Sequence, residues 1–411
     1  MNKLKAKMIY KIKKDVALKG KIKILLMILQ FPVVFGAFLG SKLYFHNRKI
    51  WLIGETGIDA KDNGLAFFSY LKKNHKEIDT VYYITGDSKA ADTVKELGDV
   101  VKTNSFKNKM MFMTSRYILS THDGYSIPFK GVNWREFKIV YGWMVPKLQF
   151  VFLNHGVNKD DTAENANYNR TRFDFHVTTT EAEFEEMTSV QYGYPKGSII
   201  KTGLARYDVL QNNKNVYRQK RNIIYMPTWR YYLADVSDEE FIKSDYFLKM
   251  YSFMHSGELN NLLESNDINF YFFPPHHEIQ ERIHLFDLDQ TRIRTFNTEE
   301  DNFSKVVLES AMMITDFSSV VFDFAYLYKR TAYYQFDLKK YRQGHYKEGY
   351  FKYESDGFGP ILYEEDKIIA EIEKAIDNNF VIDEYYEKRI RNTFSVTDNK
   401  NSERLYKILK E

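Results

Sequence analysis

What most constrains this chain is the order of its apolar segments: short strand-like runs alternate with helix-like ones, in two successive series. In the first, Lys49–Gly54 reads as a strand and a helix opens at Leu65 after the turn at residues 61–64. Strands follow at Thr80–Thr85, Tyr117–Thr121, Phe150–Asn154 and Phe173–Thr178, with helices expected around 89–97 and 105–115. The second series starts at Asn222 and continues through Ile268–Phe273, Arg292–Phe296, Ala311–Thr315 and Thr331–Gln335. Strands that alternate with helices predict parallel sheets covered on both faces. A polar stretch, Gln211–Arg221, separates the series and reads as a linker. The expected architecture is α/β, with two doubly wound parallel-sheet (Rossmann-like) domains facing a cleft. The boundaries are 46–215 for the first domain and 216–385 for the second, with C-terminal helices at 386–411 and a membrane-associating segment at 1–45. A chain of 411 residues, 44% of them hydrophobic, is long enough to bury two such cores.

The N-terminus has a different character. Residues 1–23 carry nine lysines against one acid, Asp15, a local charge of +8 in a chain whose net charge is +4, so the remainder carries −4. Basic charge confined to one end points to an anionic surface rather than to a basic protein. An apolar run from Ile24 to Gly40 follows, interrupted by Gln30 and Pro32, and is short of the ~20 residues that span a bilayer. Lys42, Arg48 and Lys49 place positive charge beyond it as well. This pattern suits a segment that enters the interface and stays on the cytoplasmic face. A buried core helix, a true span or a signal peptide are the other readings. Nucleic acid is not an expected partner, because the lysines are not interleaved with aromatics. The chain has no cysteine, which excludes disulfides, thiolate-bound zinc and a cysteine nucleophile.

In open parallel sheets ligands sit beyond the carboxyl ends of strands, and the chemically capable residues collect there. The strand at 150–154 exits into Asn154, His155 and Gly156, then Lys159. The strand from Asn222 exits into Thr228 and Arg230, and the strand at 268–273 into His276 and His277. The strand ending at Thr315 exits into Asp316, Ser318 and Ser319, ahead of Val320, Val321, Phe324 and Leu327 at helical spacing. A strand followed by a serine-capped helix offers free N–H groups and the positive end of a helix dipole to an anion such as phosphate. An imidazole can take a proton from an alcohol, and Arg230 or Lys159 can hold phosphate charge.

Five motifs occur in order: Phe-Leu-Asn-His-Gly (152–156), Thr-Gly-Leu-Ala-Arg-Tyr-Asp (202–208), Tyr-Met-Pro-Thr-Trp-Arg (225–230), Phe-Pro-Pro-His-His (273–277) and Thr-Asp-Phe-Ser-Ser-Val-Val-Phe-Asp (315–323). Together they resemble the motif set of the CDP-glycerol:poly(glycerophosphate) glycerophosphotransferases of teichoic acid and capsule synthesis. The stretch from Glu55 through Asp62, Asn63 and Gly64 is similar to the opening of their acceptor domain. The resemblance covers about residues 48 to 340. It implies a GT-B arrangement at the cytoplasmic face of the membrane, with an acceptor-side domain first and a CDP-alditol domain second. It further implies His155 as catalytic acid or base and His276 against the donor phosphates. Arg230, Thr228, Ser318, Ser319 and His277 would surround the donor, and Asp316 or Asp323 would orient the site or the donor hydroxyls. Asn154, Gly156, Lys159, Asp62 and Asn63 fall on the acceptor side. The chain departs from the pattern twice: Asn154 stands where the motif has Trp before His-Gly, and His276-His277 replaces His-Pro.

The implied reaction moves glycerol phosphate from CDP-glycerol to a hydroxyl of a lipid-linked or polymeric acceptor, releasing CMP, with no metal required; whether Mg takes part is open. Asp287 with Asp289, and Asp160 with Asp161, are the acid pairs a metal would use. The alternatives are a CDP-ribitol donor, a GT-B glycosyltransferase using a nucleotide sugar, and a non-enzymatic scaffold in polymer export.

Overall fold

The computed structural model describes residues 16–46, 48–86, 88–216, 220–234, 236–274, 277–296, 303–344 and 347–411. His276 lies outside them. So does the side chain of His277, whose backbone opens the short helix His277–Glu281.

Each series of strands forms one all-parallel sheet. The first contains β1 (Trp51–Gly54), β2 (Thr80–Ile84), β3 (Val100–Lys102), β4 (Tyr117–Ser120), β5 (Gln149–Phe152), β6 (Phe175–Thr178) and β7 (Ile199–Lys201), in the order β3-β2-β1-β4-β5-β6-β7. The second contains β8 (Asn222–Met226), β9 (Phe270–Phe272), β10 (Ile293–Thr295), β11 (Ser310–Thr315), β12 (Arg330–Tyr334) and β13 (Ile361–Leu362), in the order β10-β9-β8-β11-β12-β13. The central strands β1, β2, β4, β11 and β12 are buried along their whole length, which is why they read as continuous apolar runs without alternation. Strands β3 and β7 were not legible. Each has three residues with a lysine at its end, at the sheet margins, too short to stand out from a loop.

In each sheet the strand order reverses once, between β1 and β4 and between β8 and β11. The chain leaves adjacent strands in opposite directions at these points, so a crevice opens beyond their carboxyl ends. A single apolar cluster runs from Leu119 and Val151 in the first sheet through Leu204 and Tyr207 to Met313, Phe317 and Phe322 beside the second. The two domains therefore meet through packed side chains as well as across a cleft.

Both ends of the described chain pack on the first domain. The C-terminal helix Asn401–Lys410 docks on the first domain: Asp208 accepts from the Asn401 and Ser402 N–H groups, each at 2.8 Å, and Tyr117 donates to the Leu409 carbonyl at 2.9 Å. The N-terminal segment forms α1 (Val16–Leu29) and α2 (Phe31–Tyr44), bent by 55° at Gln30 where Pro32 opens α2. It is not a separate unit. Met27, Val34 and Ala37 pack into a cluster with Leu52, Ile118 and Phe137 of the first domain. The opposite side of the pair is apolar and exposed, with Leu29 at 67% and Leu43 at 79% of full accessibility. No single helix among the described residues is long and apolar enough to cross a membrane, although the bent pair has the length and composition.

Candidate active site

The reversal point of the first sheet and the strand next to it, β5, each carry a histidine at their exits. His122 leaves β4 and His155 leaves β5, and their rings stack with centroids 5.3 Å apart and planes inclined by 19°. Asn154 turns the chain there. It adopts a left-handed φ of +59°, which asparagine tolerates better than most residues. Its own Oδ1 accepts from the His155 N–H at 2.9 Å. Asn63 fixes the same turn from outside, donating to the Asn154 carbonyl at 2.8 Å and accepting from the Arg206 N–H at 3.0 Å. Asn63 opens helix Asn63–Asn74, whose preceding loop wraps the buried carboxylate of Glu55; that group accepts the N–H groups of Lys61, Asp62 and Leu65, each at 2.9 Å. Burial, with the charge of Asp62 beside it, raises Glu55 to about 7.

His155 is accessible to solvent yet surrounded by protein, as on the floor of a cleft. Desolvation lowers its pKa and Arg206 lowers it further. Asp62 and a hydrogen bond to the Thr121 carbonyl act the other way without cancelling the shift. At neutral pH the ring is therefore uncharged. The nitrogen that donates to Thr121 is protonated, and the other is a proton acceptor. His122 is likewise held low, first by desolvation and then by His155. Sequence reading missed His122, because β4 ends in an ordinary Ser-Thr-His-Asp string with no motif around it.

Arg206, from the Thr-Gly-Leu-Ala-Arg-Tyr-Asp motif, is the second residue the strand-exit reading passed over. It lies in the first turn of helix Ala205–Asn213 and joins the two domains. Nε and Nη2 clamp Asp323 of the second domain at 2.9 and 2.7 Å, and Nη1 reaches Asp62 and the His155 carbonyl, both at 2.9 Å. Asp323, expected to orient the site or the donor hydroxyls, is thus committed to Arg206 and buried.

The reversal point of the second sheet brings Thr228 next to Asp316. Asp316 Oδ1 accepts from the Thr228 N–H at 2.7 Å and Oδ2 from Arg230 at 2.7 Å. Arg230, expected to hold phosphate in the cleft, does not line it. It is 0% exposed, forks onto Asp337 with two 2.7 Å bonds, and donates to the Thr228 carbonyl at 2.6 Å beneath the rings of Tyr246, Phe317 and Tyr341. Its role is to brace the loops that carry Thr228 and Asp316. Lys159 is also withdrawn from the cleft, being buried against Asp160 and the Tyr353 ring, with Asp160 paired in turn to Arg342 at 2.7 Å. The segment after Asp316 differs from expectation as well. Helix Val321–Tyr326 has only six residues, and Ser318 Oγ accepts from the Val320 N–H at 3.2 Å rather than capping a long helix. The Phe322 N–H is taken by the Ser319 carbonyl at 3.1 Å. What faces the cleft here is a turn.

That turn meets the first domain at one point. A Cβ placed on Gly156 would stand 2.6 Å from Ser319 Oγ and 3.4 Å from its Cβ, so the two loops touch here and a larger residue would turn the Ser319 hydroxyl away. Thr228 Oγ1 is buried without a hydrogen-bond partner. Among the described residues no group of three or more His, Asp or Glu side chains could hold a metal ion.

Residues 37–411 match the CDP-glycerol:poly(glycerophosphate) glycerophosphotransferase family. The minor teichoic acid biosynthesis protein GgaB of Bacillus subtilis is 29% identical over 378 residues, which is 89% of this chain and 40% of that protein. The teichoic acid poly(glycerol phosphate) polymerase of Staphylococcus epidermidis is 28% identical over 208 residues, 50% of this chain and 26% of that protein. The chain thus spans less than half the length of these relatives. A solved structure of the wall teichoic acid polymerase TagF superposes with a TM-score of 0.66 at 18% identity, covering 94% of this chain and 96% of that one, which establishes the shared GT-B-like fold.

Proposed function

The chain belongs to the CDP-glycerol:poly(glycerophosphate) glycerophosphotransferase family, and from that premise we propose that it transfers glycerol phosphate from CDP-glycerol to a hydroxyl acceptor in teichoic acid synthesis. The observation that carries this reading is the approach of two strand-exit loops: an uncharged His155 after β5 of the first sheet, and Ser319 after β11 of the second, so near that a Cβ on Gly156 would stand 2.6 Å from Ser319 Oγ. Family members are named for this transfer, and a form of the TagF polymerase soaked with CDPG shares the fold, with a TM-score of 0.62.

In the proposed step the acceptor oxygen attacks the phosphorus that bears glycerol, and the bond from that phosphorus to the CMP oxygen breaks. The acceptor proton passes to the unprotonated nitrogen of His155, and CMP leaves with the bonding electrons. Base and phosphoryl group are held on opposite walls of one cleft, so the work is positioning and electrostatics. On the donor side, the half-buried Ser318 and Ser319 are the groups available to the phosphates, while the Thr228 hydroxyl is buried. The acceptor is a lipid-linked or growing glycan, and the enzyme works at the cytoplasmic face of the membrane. The exposed apolar face of α1 and α2, beside the lysine-rich N-terminus, supports that location. Replacing outward residues, as in Leu39→Ser with Leu43→Ser, is a sharper test than deleting residues 1–45, because deletion would also strip Met27, Val34 and Ala37 from the core.

The test of function is CMP release from CDP-glycerol, CDP-ribitol and UDP-sugars, each with and without a lipid-linked acceptor. Acceptor-dependent CMP from CDP-glycerol is the expected result. Release from UDP-sugars alone would place the protein among the glycosyltransferases.

A further inference from the structure

A groove of about 520 Å³ lies between α1 and the first domain, away from His155 in the chain and built from different elements. One wall is the apolar side of α1, Ile24, Leu25 and Ile28. The other is cationic, with Arg135 from the start of helix Trp134–Tyr141 and Arg170 from the turn Tyr168–Thr171, while Lys21 stands at the rim. Arg135 is held in place, its Nε donating to the Asn169 carbonyl at 2.8 Å and its Nη1 to Glu136 at 3.0 Å. Lys21 and Arg170 are exposed. Gly20 keeps the groove open: a Cβ there would lie 3.8 Å from Arg135 Nη1, so any larger side chain would fill the space in front of the guanidinium. Glycine is a poor helix former, and its place in the interior of α1 has no turn or positive φ to explain it.

Three cations facing three aliphatic side chains complement an anion joined to a hydrocarbon. The groove is continuous with the exposed apolar residues Leu25, Leu26 and Leu29 of α1. A free nucleotide has no use for the aliphatic wall, and an apolar protein helix has none for the cations. We propose that this groove binds one anionic glycerophospholipid of the bilayer. Its phosphodiester sits among Lys21, Arg135 and Arg170, and its glycerol and first acyl carbons lie along Ile24, Leu25 and Ile28. The proposal rests on the membrane reading above and adds a headgroup site to what would otherwise be docking by area and charge alone.

The test uses the full chain and two probes: sedimentation with phosphatidylcholine vesicles containing or lacking phosphatidylglycerol, and calorimetric titration with dihexanoyl-phosphatidylglycerol below its micelle concentration. The wild-type protein should prefer the anionic vesicles and bind the soluble lipid saturably. Lys21→Gln with Arg170→Gln should weaken soluble-lipid binding by about 30-fold, or about 2 kcal/mol. Gly20→Leu, which retains every charge and favours the helix, should abolish it. Leu39→Ser with Leu43→Ser should lower binding to both vesicle types and leave the soluble lipid unaffected. If the wild type sediments with vesicles but the soluble lipid does not bind, or binds the groove variants equally well, the headgroup site is overturned and the membrane reading stands. If neither vesicles nor soluble lipid bind, both fall. Equal binding of inorganic phosphate, or saturation by a polyprenyl diphosphate but not by phosphatidylglycerol, would also overturn the proposal.

Discussion

Asp62 sits 2.9 Å from one arm of Arg206 and raises the pKa of both His155 and His122, against the burial that lowers them. Removing its charge while keeping its shape, as in Asp62→Asn, should let both histidines fall further. A base must be unprotonated to act, so the acid limb of the pH–rate profile should lie below 6.5 in the wild type and move to lower pH in the variant. A limb that stays in place or moves up in pH would remove Asp62 from the electrostatics of the base. The residue scale is also where the sequence was most and least informative. A single histidine before glycine reads as a turn residue as readily as a base, and what singled out His155 was its place at a strand exit within a motif that resembles the family's. Arg230 and Lys159 were not placed correctly, because a cation next to a strand exit reads the same whether it points into the cleft or back into the domain. The difference lies in Asp337 and Asp160, whose partnership with these cations is set by folding and not by sequence proximity.

Among the elements, β6 carries a cost. His176 is buried among Phe152, Phe173 and Tyr194, and burial drives its pKa down to about 3. The folded protein refuses a proton that the unfolded chain accepts near 6.5, so this residue destabilises the fold progressively as pH drops from 6.5 towards 3. By pH 5 the loss is about 2 kcal/mol at 1.36 kcal/mol per unit. His176→Phe suits the aromatic surroundings and should remove that share of the acid sensitivity, measured as the difference in urea unfolding free energy between pH 7 and pH 5. An unchanged difference would contradict the burial argument. Element identities were largely legible, since apolar runs of four to six residues between turns are the mark of buried parallel strands. The helix after Ser318 was misjudged because Val320, Val321, Phe324 and Leu327 keep helical spacing through a turn, a six-residue helix and its end. Spacing reports the face and not the length.

At the scale of the molecule, Arg206 is the connection that local reading could not supply. It ties Asp62 and the His155 loop of one domain to Asp323 of the other, 117 positions away in the chain. Arg206→Ala leaves a buried carboxylate unpaired, which typically costs about 3–5 kcal/mol. In the Asp323→Asn background the same change should cost much less, because the two act as one unit. Denaturant titration of the four proteins in that cycle measures the coupling, and additive losses would show that the clamp does not hold the domains. The return of helix Asn401–Lys410 to the first domain was equally invisible, since its anchor, Asp208, lies nearly two hundred residues upstream. Two alternating series did predict two sheets facing one another, and the fold follows that plan. The central claim is that a neutral His155 takes the acceptor proton in a cleft closed by the second domain. Single-turnover release of CMP from CDP-glycerol by His155→Ala, alongside its affinity for CDP-glycerol, tests this most directly. The account predicts a rate lower by about 10²–10⁴-fold with donor affinity within a few-fold of wild type. A rate within tenfold of wild type would contradict it.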